Sequence, residues 1–280
     1  MLKDFIRFMC VAAVLVACGP GRATQEEAAD AWETDSVEAV TDTLEQAEEE
    51  DIQALPKSVD ELFDDFIFNF AHNKRLQLER VRFPLPVTEA DGACYKIARS
   101  QWKHESLFMQ QDFYTVLFND EEQLELEKST EREQVQVEWI QLEELFVKTY
   151  SFSRISGLWM LVGEQVHPVE NHDMAEFLAF YQHFATDSAF QRKSLSRKLH
   201  YATADPDNDF EYIEGTLDAD QWFAIRPQMP SGTITNIRYG QEYTDPNKVL
   251  LLKRGIANGM MDIFTFRKTG QRWQLAAYEN

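Results

Sequence analysis

Apolar residues recur at intervals of three and four through Leu62, Phe63, Phe66, Ile67 and Phe70, with Asp60, Glu61, Asp64 and Asp65 set between them. That spacing predicts an amphipathic helix whose ring-bearing stripe faces a core and whose acids face water. Ser58 and Glu61 stand in capping-box order, which places the helix start there. His72-Asn73 interrupts the pattern, and Leu76, Leu78 and Val81 resume it as far as Phe83-Pro84, where proline forbids continuation. A second set repeats the plan. Asp173 and Glu176 open it, Phe177, Phe180, Tyr181 and Phe184 form the stripe, and Asp187 stands where Asn73 stood. Each set therefore reads as two short helices joined at an Asn or Asp break.

Period-two stretches follow each helical set. Phe146, Lys148, Tyr150 and Phe152 alternate with Val147, Thr149 and Ser151, Ser156-Gly157 turns the chain, and Trp159, Leu161 and Gly163 share a face on the return. This predicts a β-hairpin. Met260, Asp262, Phe264 and Phe266, then Thr269-Gly270, then Trp273, Leu275 and Ala277 predict a second one in the same register. Further strands are expected at 113–118, 135–140, 233–239 and 249–253. The stripe Phe63, Phe66, Phe70 returns as Phe177, Phe180, Phe184 after 114 residues (177 − 63), and Phe152 and Trp159 return as Phe266 and Trp273 at the same offset. Gln101-Trp102 and Gln221-Trp222 correspond at an offset of 120 (221 − 101). A period of this length suits a duplicated domain and is too long for a solenoid unit. The expected fold class is α+β: two tandem cone-shaped domains, 58–170 and 171–280, each with N-terminal helices packed on a curved antiparallel sheet.

Composition changes the picture mainly at the N-terminus. Acidic residues outnumber basic ones 48 to 27, for a net charge of −21, which disfavours nucleic acid as a partner. Residues 19–57 hold 12 acids against 2 bases and few apolar side chains, the composition of a disordered acidic tether. Ahead of it, Lys3 and Arg7 precede the apolar run Val11 to Ala17, which ends in Leu15-Val16-Ala17-Cys18. A basic head, a short apolar segment and a small residue before the cut make an export signal, 1–18. Leu-Val-Ala-Cys resembles the bacterial lipoprotein signal, and the resemblance implies that Cys18 is acylated and becomes the first mature residue. The membrane would then be a partner through that lipid, with the protein anchored at the outer membrane of the cell envelope. Cys10 leaves with the signal, so Cys94 stands alone without a disulfide partner and is expected to be buried and inert.

The order of helix, helix and long strands ending in an aromatic hairpin, with Phe63-x-x-Phe66-x-x-x-Phe70-Ala71-x-Asn73-x-x-Leu76-Gln77 and its counterpart ending in Phe190-Gln191, resembles the nuclear transport factor 2-like cone. More narrowly, it is similar to a family of Bacteroidetes envelope lipoproteins that carry such cones in tandem. The resemblance implies the fold over residues 58–280. Cones of this class serve as binding modules, adaptors and, in a minority, small-molecule isomerases or dehydratases, so it does not choose among activities.

The chemistry of the chain is sparse. No His-Glu-x-x-His, nucleophile elbow or phosphate-cradling glycine loop occurs among its motifs. His183 beside the second stripe, with Tyr181 as a proton donor, and His104 are the candidates for acid–base work at a cone mouth. Asp205, Asp207 and Asp209 begin like a calcium loop, but Phe210 stands where the glycine is needed and Thr216 where the bidentate glutamate is needed. The EF-hand reading therefore fails, and a looser calcium site or a solvated turn is the candidate that remains. Arg192, Lys193, Arg197 and Lys198 make a basic strip assigned to the second helix of the second copy. These residues imply no cofactor. The leading expectation is a lipid-anchored protein whose paired cones bind an unknown protein or small-molecule ligand, and the alternative is an isomerase-, dehydratase- or hydrolase-like enzyme with a pocket in one copy.

Overall fold

The first helix, α1 (Phe63–His72), buries Phe63, Phe66, Ile67, Phe70 and Ala71. A computed structural model describes residues 60–208 and 211–280, which fall in one compact unit. The stretches read above as an export signal and an acidic tether, 1–18 and 19–57, lie outside the described residues, as does Ser58 of the expected capping box. Helix α1 stops at Asn73, whose extended backbone breaks the ladder and whose Oδ1 accepts the Arg75 and Leu76 amides to start α2 (Lys74–Arg80). The pair α3 (Ala175–Thr186) and α4 (Ser188–Lys193) is joined in the same way, with Asp187 Oδ1 accepting the Ala189 and Phe190 amides. The starts of the first helices differ from expectation. Leu62 and Met174 are the N-caps, and neither makes a side-chain cap. Asp60 is instead buried against Arg80, and Asp173 pairs with Arg238.

Among the described residues, twelve strands form two six-stranded sheets. In the first half run β1 (Leu85–Thr88), β2 (Cys94–Ile97), β3 (Phe113–Phe118), β4 (Gln134–Gln141), β5 (Phe146–Ile155) and β6 (Leu158–Pro168). The second half has β7 (Leu195–Ala204), β8 (Tyr212–Leu217), the short helix α5 (Ala219–Ile225), β9 (Thr233–Arg238), β10 (Lys248–Gly255), β11 (Met261–Thr269) and β12 (Arg272–Glu279). The sheet orders are β2-β1-β6-β5-β4-β9 and β8-β7-β12-β11-β10-β3. Most pairs are antiparallel, but β1 lies parallel to β6 and β7 parallel to β12. Both expected hairpins are present, and each carries a β-bulge at the corresponding place, between Ser151 and Phe152 and between Thr265 and Phe266. A bulge adds local twist, so both sheets bend over their helices at the same level.

The two halves exchange a strand. Each sheet has five strands from one half and closes with one from the other: β9 pairs with β4, and β3 pairs with β10. The exchanged strands leave free edges that meet, and side chains rather than a backbone ladder join them. Thr115 N donates to Thr235 Oγ1 at 2.7 Å while Thr235 N donates to Thr115 Oγ1 at 2.9 Å. Each hydroxyl in turn donates to the other residue's carbonyl, at 2.6 and 3.0 Å. The reciprocity marks a local two-fold axis through a single chain. Asn236 Oδ1 accepts the Leu117 amide, and Gln241 Nε2 donates to the carbonyls of Leu117 and Ile237, so the neighbouring edge groups are also satisfied without water.

The rings repeat beneath the sheets. Phe63 packs on Trp159 at 5.1 Å and on Phe152 at 5.4 Å between centroids, and Phe177 packs on Trp273 at 5.3 Å and on Phe266 at 5.2 Å. A buried glutamine ties each helix pair to the next segment. Gln77 donates to the Phe70 and Glu105 carbonyls and accepts from Trp102 Nε1 and the Glu105 amide, which satisfies its whole amide group. Gln191 donates to the Phe184 carbonyl and accepts from Trp222 Nε1 and Arg226. The Trp102 and Trp222 correspondence in the sequence thus has a structural cause.

Asp64, placed on the wet face by periodicity, instead accepts from the Tyr239 hydroxyl across the seam between halves. Burial pushes its carboxyl up to about 6, against the pull of that hydrogen bond. Cys94 also departs from expectation: it is exposed on the edge strand β2.

Candidate functional site

Three places gather chemistry. The first is the seam. Glu138 on β4 accepts from His172 Nε2 at 3.2 Å, from Asn236 Nδ2 at 2.7 Å and from Arg238 Nη1 at 3.4 Å. The Met174 amide donates to His172 Nδ1, so the proton of a neutral ring sits on Nε2 and points at Glu138. Burial works against ionisation of Glu138, yet His172, Arg238 and Asn236 together prevail and hold its carboxyl below the ordinary range. The Glu138 and His172 side chains are each 2% exposed, so this pair joins the halves and offers no face to a substrate. No sequence motif contains it, because its members come from three separate segments.

The second place is the concave face of the first sheet. Lys148 Nζ lies 3.0 Å from Glu105 and 3.1 Å from Glu164, and the Tyr150 hydroxyl donates to Glu105 at 3.2 Å. Burial raises the Glu164 carboxyl, with Lys148 pulling the other way, and Glu164 Oε1 has no partner. The second sheet carries Asp262 and Tyr278 at the positions of Lys148 and Glu164, and there Lys253 and Tyr278 both bind Asp262, at 3.2 and 2.8 Å. Both groups pack against the filled interior of their half.

The third place is open. A cleft of about 790 Å³ lies between α3, α4 and the tip of the β11–β12 hairpin. Phe180, Phe190 and Trp273 form its apolar wall, and His183, Lys193 and Arg272 are among the polar side chains that line it. Phe180, expected in the core, is therefore only half-buried and stands at the cleft wall. The same position in the first half is closed. Arg80, which corresponds to Ser194, lies 5.8 Å over the Phe66 ring and binds both oxygens of Asp60 at 2.6 and 2.9 Å. Asp60 also accepts the Trp159 amide, and Arg154 covers the Trp159 ring while donating to the Asp60 and Glu61 carbonyls. Serine in place of arginine leaves the second groove unfilled. This large-to-small difference between equivalent positions of the two halves is readable in the sequence.

The acid–base candidates are not brought together. His183 is exposed in the cleft with its ring 5.6 Å from Phe190, whereas Tyr181 is fully buried and donates to the Pro230 carbonyl at 2.9 Å. Burial pushes the Tyr181 hydroxyl far up, which ill suits a proton donor. His104 lies in the other half, with Nε2 buried and unpartnered. Asp205 spends its carboxylate on the Asp207 amide and the Asn208 side chain in a local turn, and Asp209 lies outside the described residues. Among the described residues no group of three or more His, Cys, Asp or Glu is placed to hold a metal ion. The basic strip is not one helix face: α4 ends at Lys193, Arg197 and Lys198 belong to β7, and Arg192 pairs with Asp220.

Comparison with other proteins supports the fold. A crystal structure of an NTF2-like protein from Bacteroides fragilis NCTC 9343 shares 43% identity over 79% of this chain and 96% of its own, with a TM-score of 0.75. An NTF2-like protein of unknown function from Shewanella baltica OS155 is far more distant, at 15% identity over 39% of this chain and 90% of its own, with a TM-score of 0.22. No curated protein matches. The sequence model described as "Domain of unknown function (DUF4348)" matches residues 41–280. With its helices packed on two antiparallel-rich sheets, the chain belongs to the DUF4348 family and has an NTF2-like fold.

Proposed function

We propose that this protein is a lipid-anchored binding protein of the cell envelope, built from two duplicated cones and taking its ligand in the cleft of the second half. The observation that carries the reading is the difference between the halves: the groove plugged by Arg80 and Asp60 in one is open and ring-lined in the other. Its size falls within the range of small-molecule sites, about 300 to 1,000 Å³. The interiors beneath both sheets are occupied by aromatic side chains, which supports binding at this cleft over catalysis in a cone pocket. The anchor rests on the sequence through Cys18, and the acidic run 19–57 serves as the spacer between membrane and cones.

The neutral fluorophore N-phenyl-1-naphthylamine should bind the protein at one saturable site, and Ser194→Arg, which copies the plug, should abolish that binding while thermal unfolding stays cooperative. Undiminished binding to a folded Ser194→Arg protein would remove the cleft from the account. For the anchor, Cys18→Ser should abolish fatty-acid labelling in a bacterial host and move the protein out of the membrane fraction. Retention of the label would contradict it.

A further inference from the structure

The open cleft also differs from its closed counterpart in charge. His183, Lys193 and Arg272 line it, and none of the three is in an ion pair among the described residues. Glu176 is the acidic residue on the lining, and it is already bound to Lys268. Asp187 lies near Lys193 and His183, but its carboxylate is committed to two backbone amides. At the corresponding positions the first half has Asn69, Glu79 and Leu158, with no cation among them. In the closed groove the Arg80 guanidinium is neutralised by Asp60, so among the described residues opening and unpaired positive charge occur together in the second half, on a chain whose net charge is −21. A neutral apolar ligand would make no use of that coincidence.

We infer that the cleft takes a free organic anion with an apolar body, its rings or chain against Phe180, Phe190 and Trp273 and its carboxylate, sulfonate or phosphate toward Lys193 and Arg272. This rests on the binding reading above and specifies the ligand class. The arrangement follows the usual division of a small-molecule site, in which the apolar wall supplies affinity and a few polar groups fix orientation. The cations also draw such an anion into a protein whose overall field repels it. Trp273 Nε1 is unpartnered, but so is Trp159 Nε1 in the closed half, so the indole does not discriminate.

The test uses two probes with one body. 8-Anilino-1-naphthalenesulfonate and N-phenyl-1-naphthylamine share their rings and differ by the sulfonate. The anion should bind at least tenfold more tightly, in competition with the neutral probe. Lys193→Glu combined with Arg272→Glu, both at exposed positions, should weaken the anion at least tenfold and change the neutral probe less than twofold. Ser194→Arg should exclude both. Equal affinities, or an anion indifferent to the charge reversal, would overturn the anion inference while leaving the binding cleft standing. Failure of both probes to bind would overturn the two together. Displacement of the sulfonate by phosphatidylglycerol vesicles would overturn the choice of a free anion in favour of a membrane surface.

Discussion

Phe66→Ala is expected to lower the unfolding free energy by about 3 to 5 kcal/mol, and Phe180→Ala, at the corresponding position of the second half, by only about 1 to 2 kcal/mol. Phe66 is fully buried, with Phe63, Phe70 and Phe152 at 5.9, 5.4 and 5.8 Å and the Arg80 guanidinium above it. Removing the ring leaves a closed void that neighbours on a helix and a sheet cannot collapse to fill. Phe180 packs on Phe184, Phe190 and Phe266 at 5.6, 5.7 and 5.9 Å, but its remaining face looks into the cleft. Its removal enlarges an existing opening, which water enters. Phe184→Ala, fully buried like Phe70, should return to the larger cost. Urea unfolding of the three variants measures this, and equal costs at Phe66 and Phe180 would mean that the cleft is filled in solution.

Much of the fold was legible because its signals are local. Aromatic stripes at helical spacing, Asn73 and Asp187 as breaks, and two hairpins in one register each depend on a few neighbouring residues. The expected strands at 113–118, 135–140, 233–239 and 249–253 all lie on β3, β4, β9 and β10 to within a few residues. Four strands were missed, for recognisable reasons. β2 and β8 are exposed on nearly all positions and lack alternation, β1 carries Pro86, and β7 runs through the basic residues that read as a helix face. The expected helix starts at Ser58 and Asp173 lie several and two residues ahead of the observed Phe63 and Ala175. Asp173 resembles a cap in sequence, whereas its carboxylate is held by Arg238, distant in the chain, and Asp60, expected on the wet side, is held by Arg80.

The site was less legible. His183 was identified, but its neighbours in space are Phe190, Lys193 and Arg272, which periodicity alone does not bring to one surface. The Glu138–His172 pair spans 34 residues, from β4 to the connection before α3, and its Asn236 and Arg238 partners arrive only through the strand exchange. No local pattern encodes that exchange. The 120-residue offset of Trp102 and Trp222 was its nearest trace, since Thr115 and Thr235 share the same offset (235 − 115).

The exchange also yields the second large prediction. If β3 and β9 meet as described, cysteines at 115 and 235 will oxidise to a disulfide within one chain, because the Thr115 and Thr235 hydroxyl oxygens lie 3.4 Å apart. Closing a loop of this length restricts the unfolded chain by an entropy worth about 5 kcal/mol, and loss of the threonine hydrogen bonds reduces the net gain to roughly 2 to 4 kcal/mol. The decisive measurement is therefore thiol titration, mass and unfolding of residues 54–280 carrying Cys94→Ser, Thr115→Cys and Thr235→Cys. Strand exchange predicts a monomer with no free thiol and a reductant-sensitive rise in stability. Two free thiols in the folded oxidised protein, or cross-links between chains only, would show that each half keeps its own strand.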